Sequence, residues 1–370
     1  MLSVCDMPNA AVPGPRGASA GVRGEAKSGG MPTAALRHAV RALASETGPQ
    51  VAQRAVRLLR PLVAQAHEVL RERLEAGGSV EDYLRSRARL ADSTVVGLLH
   101  ITSVSTGMRG NTMVAPLAAV AMGGYGRCEL APGSDLDLLF LLPESGQYRA
   151  GGGDADATAA CVNAVVAGLW DLGFVLDHAA RSSRECLDLA HSEPAVLASL
   201  LDRRFLWGGF ALFATLDADL AALFSGPHAG RWRCAISSAM ASARRDAHHG
   251  PPTPEDEPDV KRGPGGLRDL QRALSVDTLA SGRPTALAEP ALVEAHRFLW
   301  LTRCHLHLLV GRAQDRLSSA LQPAVARRLG LDEPRGTGAA SRLMHCFRRH
   351  AHNVLRASAL ATDSVLARAA

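Results

Sequence analysis

Lysine is almost missing from this 370-residue chain: of 41 basic side chains only Lys27 and Lys261 are lysines. Aromatic residues amount to 4%, so basic tracts interleaved with stacking rings, the mark of single-strand nucleic-acid binders, have little to be built from. The seven cysteines, Cys5, Cys128, Cys161, Cys186, Cys234, Cys304 and Cys346, form no C-x-x-C pair. Their odd number and wide scatter exclude a disulfide framework and a zinc ribbon and favour a reducing compartment. No apolar run approaches the length of a membrane span, and the amino-terminal stretch lacks an apolar core with a cleavage site. The expectation is a cytoplasmic protein that engages neither DNA nor membrane. Also missing are a G-K-[ST] ending and a correctly spaced G-x-G-x-x-G, which disfavours P-loop ATPases and Rossmann oxidoreductases.

What is present suffices for packed cores. At 47% hydrophobic and 21% charged, the chain has the composition of two or three globular domains. The net charge of +5 is spread along the sequence rather than blocked into a tail, which fits a small anionic ligand better than a polyanion. Residues 1–35 are rich in Gly, Pro and Ser and read as a disordered leader. Over 36–105 apolar residues recur at helical spacing, as in Val56, Leu59 and Val63, giving two or three amphipathic helices.

The texture changes over 106–225. Short apolar runs at 113–122 and 136–142, each ending in turn residues, read as strands, a helix follows over 156–172, and 174–180 reads as a third strand. Helices are expected at 184–190, 194–207 and 211–224. Strands mixed with helices in about a hundred residues indicate an α+β unit. A proline-rich interval at 248–258 reads as a linker, and helical periodicity dominates the last region, 226–370, from Leu267 onward.

One segment carries chemistry, G-G-Y-G-R-C-E-L-A-P-G-S-D-L-D-L over 123–138. Asp135 and Asp137 stand two apart at the start of an expected strand, so both carboxylates share one face while Leu136 and Leu138 point into a core. Paired carboxylate oxygens suit Mg²⁺, which keeps waters and takes further oxygens from a substrate's phosphates. Just upstream, Gly123 and Gly124 follow an apolar strand and leave backbone N–H groups open to a triphosphate. Arg127 and Ser134 are candidates to donate to its oxygens. Neither a lone D-x-D nor a lone Gly-Gly is diagnostic; their order, strand to Gly-Gly to S-D-x-D to strand, is.

The stretch GGYGRCELAPGSDLDLLFL resembles the signature of the DNA polymerase β-like nucleotidyltransferases, and most closely that of the bacterial PII uridylyltransferases. LWDLGFVLDHAARSSRECLDLA from Leu169, LLDRRFLWG from Leu200, PDVKRGPGGLRDLQ from Pro258 and HRFLWLTRCHLHLLVGRAQDRL from His296 support the closer likeness. The resemblance implies a polymerase β-like domain beside an all-helical one, and Mg²⁺-dependent transfer of UMP from UTP to a tyrosine of a PII signalling protein. It also implies a third carboxylate, for which Asp177 is the positional candidate, with a solvent-facing strand end as the alternative. His178 beside it reads as a structural histidine. Cys128 stands where the resembling sequences carry glycine. Lys261, Arg262, Gly265, Gly266, Arg268 and Asp269 either close on nucleotide phosphate or order the domain interface, and Glu129 is expected to pair with a nearby arginine. His305 and His307 are two apart in an expected helix, which argues against zinc. The chain contains no His-Asp dipeptide, so no uridylyl-removing activity is expected. Transfer of another nucleotide, such as AMP, and a non-catalytic nucleotide-binding module stand as alternatives.

Overall fold

The computed structural model describes residues 33–43, 46, 50–106, 117–144, 153–225, 230, 256–281, 289–331 and 338–367. Most of the expected leader, most of the 248–258 linker and the front of the 113–122 strand lie outside the described residues. Among the described residues no helix is long and apolar enough to cross a membrane.

Three helices open the chain, α1 (Thr33–Leu43), α2 (Val51–Glu75) and α3 (Val80–Ser105). In α2, Ala55, Leu59, Val63, Ala66 and Leu70 repeat every three or four residues and are buried, as one apolar stripe requires. Ser79 caps α3 by accepting from the Asp82 N–H at 3.2 Å, and Glu81 and Asp82 in the first turn suit the positive end of the helix.

A four-stranded sheet follows, in spatial order β3-β2-β1-β4. Its strands are β1 (Ala118–Ala121), β2 (Leu136–Leu142), β3 (Leu176–Ser182) and β4 (Arg204–Gly208). β1 pairs antiparallel with β2 and β4, and β2 pairs parallel with β3. Between β1 and β2 lies one helical turn, α4 (Gly123–Gly126). A parallel pair needs a crossover, supplied by α5 (Gly153–Asp171). Then come α6 (Ser183–Ser192), α7 (Pro194–Leu201) and α8 (Phe210–Ser225).

Side-chain alternation divides the sheet between two cores. Leu136, Leu138 and Phe140 pack with α1, α2, α3 and α5. Leu139 and Leu141 pack with Cys186, Leu197 and Leu200 of α6 and α7. Asp137 belongs to this second face, at its solvent end, where the sheet runs out of apolar cover.

The remaining helices are α9 (Leu267–Ser281), α10 (Pro290–Val310), α11 (Gln322–Arg328) and α12 (Ala339–Ala367). They build a third core with Leu299, Leu306 and Phe347 at its centre, and Leu70, Leu74 and Leu84 of α2 and α3 enter it. The amino-terminal helices therefore brace the sheet and the helical region together.

Three expectations change in detail. The run 194–207, read as one helix, breaks after Leu201, and 204–208 form β4. The reason lies far away in sequence: Arg204 makes a two-pronged ion pair with Asp92 of α3, at 2.9 and 3.0 Å, while its strand pairs with β1. The third strand begins at Leu176 rather than 174, since Gly173, at φ +87°, ends α5 and Phe174 packs inward. Asp135 sits one residue before β2 instead of inside it.

Candidate active site

The parallel register of β2 and β3 sets Asp137 directly beside Asp177. Asp135 joins them from the approach to β2, and all three line one cleft of about 330 Å³. Burial pushes the Asp137 carboxyl up to about 6, and the negative charges of Asp135 and Asp177 add to it, against the weaker pull of Lys261 and Arg127. Asp137 thus reports a surplus of negative charge that the protein leaves unneutralised. Such oxygen donors are of the kind that suits Mg²⁺; among the described residues no group of three or more His, Cys, Asp or Glu side chains is already set to hold a metal ion.

The turn above the carboxylates is shaped by them. Gly123 has φ +49°, and a Cβ there would lie 2.7 Å from Asp137 Oδ2, so the carboxylate occupies the space a side chain would need. Met122 N–H donates to the Asp137 carbonyl at 2.9 Å, tying the turn to β2. From below, Arg204 donates to the carbonyls of Gly126 (3.1 Å) and Tyr125 (3.2 Å). Cys128 adopts φ 62°, the one left-handed non-glycine residue among those described, which accounts for glycine at that place in the resembling sequences.

Arg127 lines the cleft, but its guanidinium is engaged by Glu129 at 2.6 Å and by Asp202. The expected Glu129–arginine pair is therefore Glu129–Arg127, and Arg127 reaches a phosphate only by sharing donors already in use. Burial disfavours ionisation of both acids. At Glu129 it is outweighed by Arg127 and by His296, whose Nε2 lies 2.7 Å away, and the carboxyl is held down at about 2. At Asp202 burial prevails over Arg127 and the carboxyl sits up at about 6. One arginine does not neutralise both.

The opposite wall comes from a strap over residues 256–266. Asp259 Oδ1 accepts from the N–H groups of Lys261 (2.8 Å) and Arg262 (2.6 Å). Val260 N–H donates to the Asp315 carbonyl and Leu317 N–H to that of Pro258, each at 2.8 Å. Gly265, at φ +72°, passes so close to Ala351 that a Cβ would lie 2.3 Å from its carbonyl oxygen. Buried Asp269 accepts from the Gly265 N–H at 2.9 Å. The result is a stiff loop that carries Lys261 and Arg268 into the cleft and leaves Arg262 outside it. Burial, then Arg303, push the Lys261 ammonium below its usual range, against Asp315 and Asp135. Among the described residues the ammonium makes no ion pair, so its charge is available to a ligand anion. The strap combines both roles left open by the sequence.

Ser134 also lines the cleft; its hydroxyl accepts from Ala131 N–H at 3.1 Å and from Arg303 at 3.4 Å. Arg303 in turn donates to Asp315 at 2.7 Å. His307 completes the tether: its Nδ1 accepts from Gly133 N–H at 3.0 Å, which leaves the Nε2–H to face Asp315 Oδ1 at 3.1 Å. Two residues before Asp135, the acidic loop is thereby fastened to α10.

Sequence reasoning placed Asp135, Asp137, Asp177, Gly123, Gly124, Arg127, Ser134 and Lys261, and the structure brings all of them to this cleft. It missed Ser199, Asp202, Gln271, His296, Trp300 and Arg303, which line it too, and His307 behind it. The signal for the α10 group was His296, Trp300 and Arg303, four and three residues apart on one face of a helix.

The family described as GlnD PII-uridylyltransferase matches residues 238–361, which hold the strap and the helical region. The family described as glutamate-ammonia ligase adenylyltransferase matches residues 23–166, which hold the glycine turn and two of the aspartates. Among curated relatives, the bifunctional uridylyltransferase/uridylyl-removing enzyme of Azospirillum brasilense is 35% identical over 322 residues, 81% of this chain and 33% of the relative. That of Rhodospirillum rubrum is 33% identical over 296 residues, 76% of this chain and 30% of the relative. That of Phenylobacterium zucineum is 32% identical over 335 residues, 86% of this chain and 33% of the relative. The chain spans about a third of the length of these relatives. Over the part it shares with them, this chain is similar to the PII uridylyltransferases, and its residues 238–361 match their family model.

Proposed function

We propose that the chain carries a polymerase β-like nucleotidyltransferase unit that transfers UMP from UTP to a tyrosine hydroxyl of a PII signalling protein in the cytoplasm, releasing pyrophosphate. The observation that carries this reading is Asp137: a carboxylate held in register with Asp177 and close to Asp135, raised to about 6 by burial and by their charge, and facing Lys261 across the cleft.

Asp135 and Asp137 are the residues to hold Mg²⁺, which when bound supplies positive charge against the α-phosphate and the departing pyrophosphate. Gly123 gives the triphosphate close access to the backbone of the turn. Lys261 and Arg268 bring point and planar charge to its outer phosphates. Ser134 orients one of its oxygens. The acceptor phenol has a free pKa of about 10 and must lose its proton as it attacks. Asp177, on the open edge strand, is the carboxylate placed to receive it.

A second reading, adenylyl transfer, is favoured by the match of residues 23–166 to the adenylyltransferase family; nothing in the glycine turn or the aspartates reads a base. Incubation with each labelled nucleoside triphosphate, Mg²⁺ and a bacterial PII protein separates the two. Label on a PII tyrosine from UTP is the expected outcome. Label from ATP alone replaces the first reading with the second, and no label from either refutes both.

A further inference from the structure

A second cavity, of about 320 Å³, adjoins the same carboxylates. Asp137, Asp177 and Ser199 line both spaces. The linings otherwise differ in charge. The first is faced by Lys261, Arg127, Arg268 and Arg303. The second lies between the sheet face and α6 and α7, is walled by Met122, Leu139, Ala179, Val196 and Leu200, and has one guanidinium, Arg181, on its lining. Met122, Leu139 and Leu200 are buried members of the core beneath it. An anion gains less there than in the first cavity; an aromatic ring gains from the walls formed by Met122, Leu139, Val196 and Leu200.

Resting on the transfer reading, we propose that this second cavity is the acceptor site, holding the side chain of the tyrosine that receives the nucleotide. In phosphoryl transfer the attacking and leaving oxygens lie roughly in line through phosphorus. A nucleotide with its outer phosphates toward Lys261 turns the leaving group into the basic cavity, so the nucleophile must arrive from the opposite side of Asp137 and Asp177. The second cavity, which shares those two carboxylates and carries none of the first cavity's basic lining, is the candidate for that side. The phenolic oxygen forms its bond to the α-phosphorus as the bond from phosphorus to the bridging oxygen breaks. Pyrophosphate leaves with that oxygen, and the phenolic proton passes to the Asp177 carboxylate. A phenol fits: its ring meets the apolar walls and its oxygen meets the carboxylates at the rim. An aliphatic hydroxyl, as in serine, leaves the walls unfilled.

Two substitutions fill the cavity and leave the carboxylates and the basic wall themselves unchanged. Ala179→Phe places a ring from the edge strand, where an aromatic residue is well tolerated. Ala195→Trp does so from the exposed rim of α7, where the risk to folding is small. With the full chain, each variant is expected to lower kcat/KM for a bacterial PII protein by about 100-fold while the Kd for Mn²⁺ plus UTP, measured by calorimetry, stays within about twofold of wild type. Wild-type kcat/KM in the folded Ala195→Trp variant, with nucleotide binding intact, overturns the acceptor pocket and leaves the transfer reading standing. Loss of nucleotide binding in parallel with transfer also overturns it, because the two cavities then do not act separately. No transfer to PII by the wild type refutes the underlying reading, and the pocket with it.

Discussion

The two walls of the cleft are built in different ways. The acidic wall is local: Asp135 and Asp137 are two residues apart, and Asp177 reaches them through one parallel strand pairing. The basic wall is remote: Lys261 comes from a loop, and Arg268 and Arg303 from helices, more than a hundred residues downstream of Asp135 and Asp137. The difference in construction has an electrostatic counterpart. On the acidic side charge is left in excess, raising Asp137 to about 6. On the basic side the arginines are mostly spent on carboxylates, Arg127 on Glu129 and Asp202 and Arg303 on Asp315, while Lys261 makes no ion pair among the described residues. The protein holds one wall waiting for a cation and one lysine waiting for an anion.

If the acidic wall is the reaction centre, the largest effect comes from Asp137→Asn, which should lower kcat by about 1,000-fold or more. The same change should raise the melting temperature of the metal-free protein at pH 7.5. The sign follows from the shift: a carboxyl raised from 3.8 to about 6 binds its proton more tightly when folded, so stability falls as pH rises from about 4 to 6 and stays low above it. The advantage of asparagine should therefore shrink as pH drops through about 6. An advantage independent of pH would mean that Asp137 is not under this strain.

Gly123→Ala tests how closely turn and carboxylate are fitted. A methyl group 2.7 Å from Asp137 Oδ2, on a residue at φ +49°, should cost about 1–3 kcal/mol of stability. It should cost about 100-fold in activity, more than the stability loss accounts for. Equal activity in the folded fraction would separate the turn from the site. On the basic wall, Lys261→Met should raise the KM for UTP by about tenfold with a smaller change in kcat. Lys261→Arg should restore only part of it, since the strap places a point charge in a confined space.

The tether between the walls gives the smallest effect and the finest distinction. An asparagine at 307 offers an oxygen in place of Nδ1 to the Gly133 N–H, whereas a glutamine offers an amide in place of Nε2 to Asp315. His307→Gln should lose about tenfold in kcat and His307→Asn less, at similar melting temperatures. Equal losses would assign His307 to packing alone.

The same contrast explains how much could be read from the sequence. β1, the glycine turn and β2 were legible because glycine punctuation, a two-residue period and an apolar run lie within a few turns of chain. Asp177 was legible as a candidate, but its partnership with Asp137 depends on a parallel register that no local pattern specifies. β4 was misread as the end of a helix because L-L-D-R-R-F-L-W has helical spacing. Only Asp92, from a helix far upstream, and the edge of β1 make it a strand. Arg127 read as a phosphate donor because Glu129 is near in sequence while Asp202, which takes its other prong, is not. His307 read as one of two histidines off a shared face, and its contact with Gly133 joins segments 174 residues apart.

The most direct test of the central claim is electron paramagnetic resonance of Mn²⁺ titrated into the full chain in the presence of UTP. The account predicts that wild type binds Mn²⁺ together with UTP, that Asp137→Asn abolishes that binding, and that Lys261→Met weakens it. Mn²⁺ and UTP binding as tightly to Asp137→Asn as to wild type would contradict it.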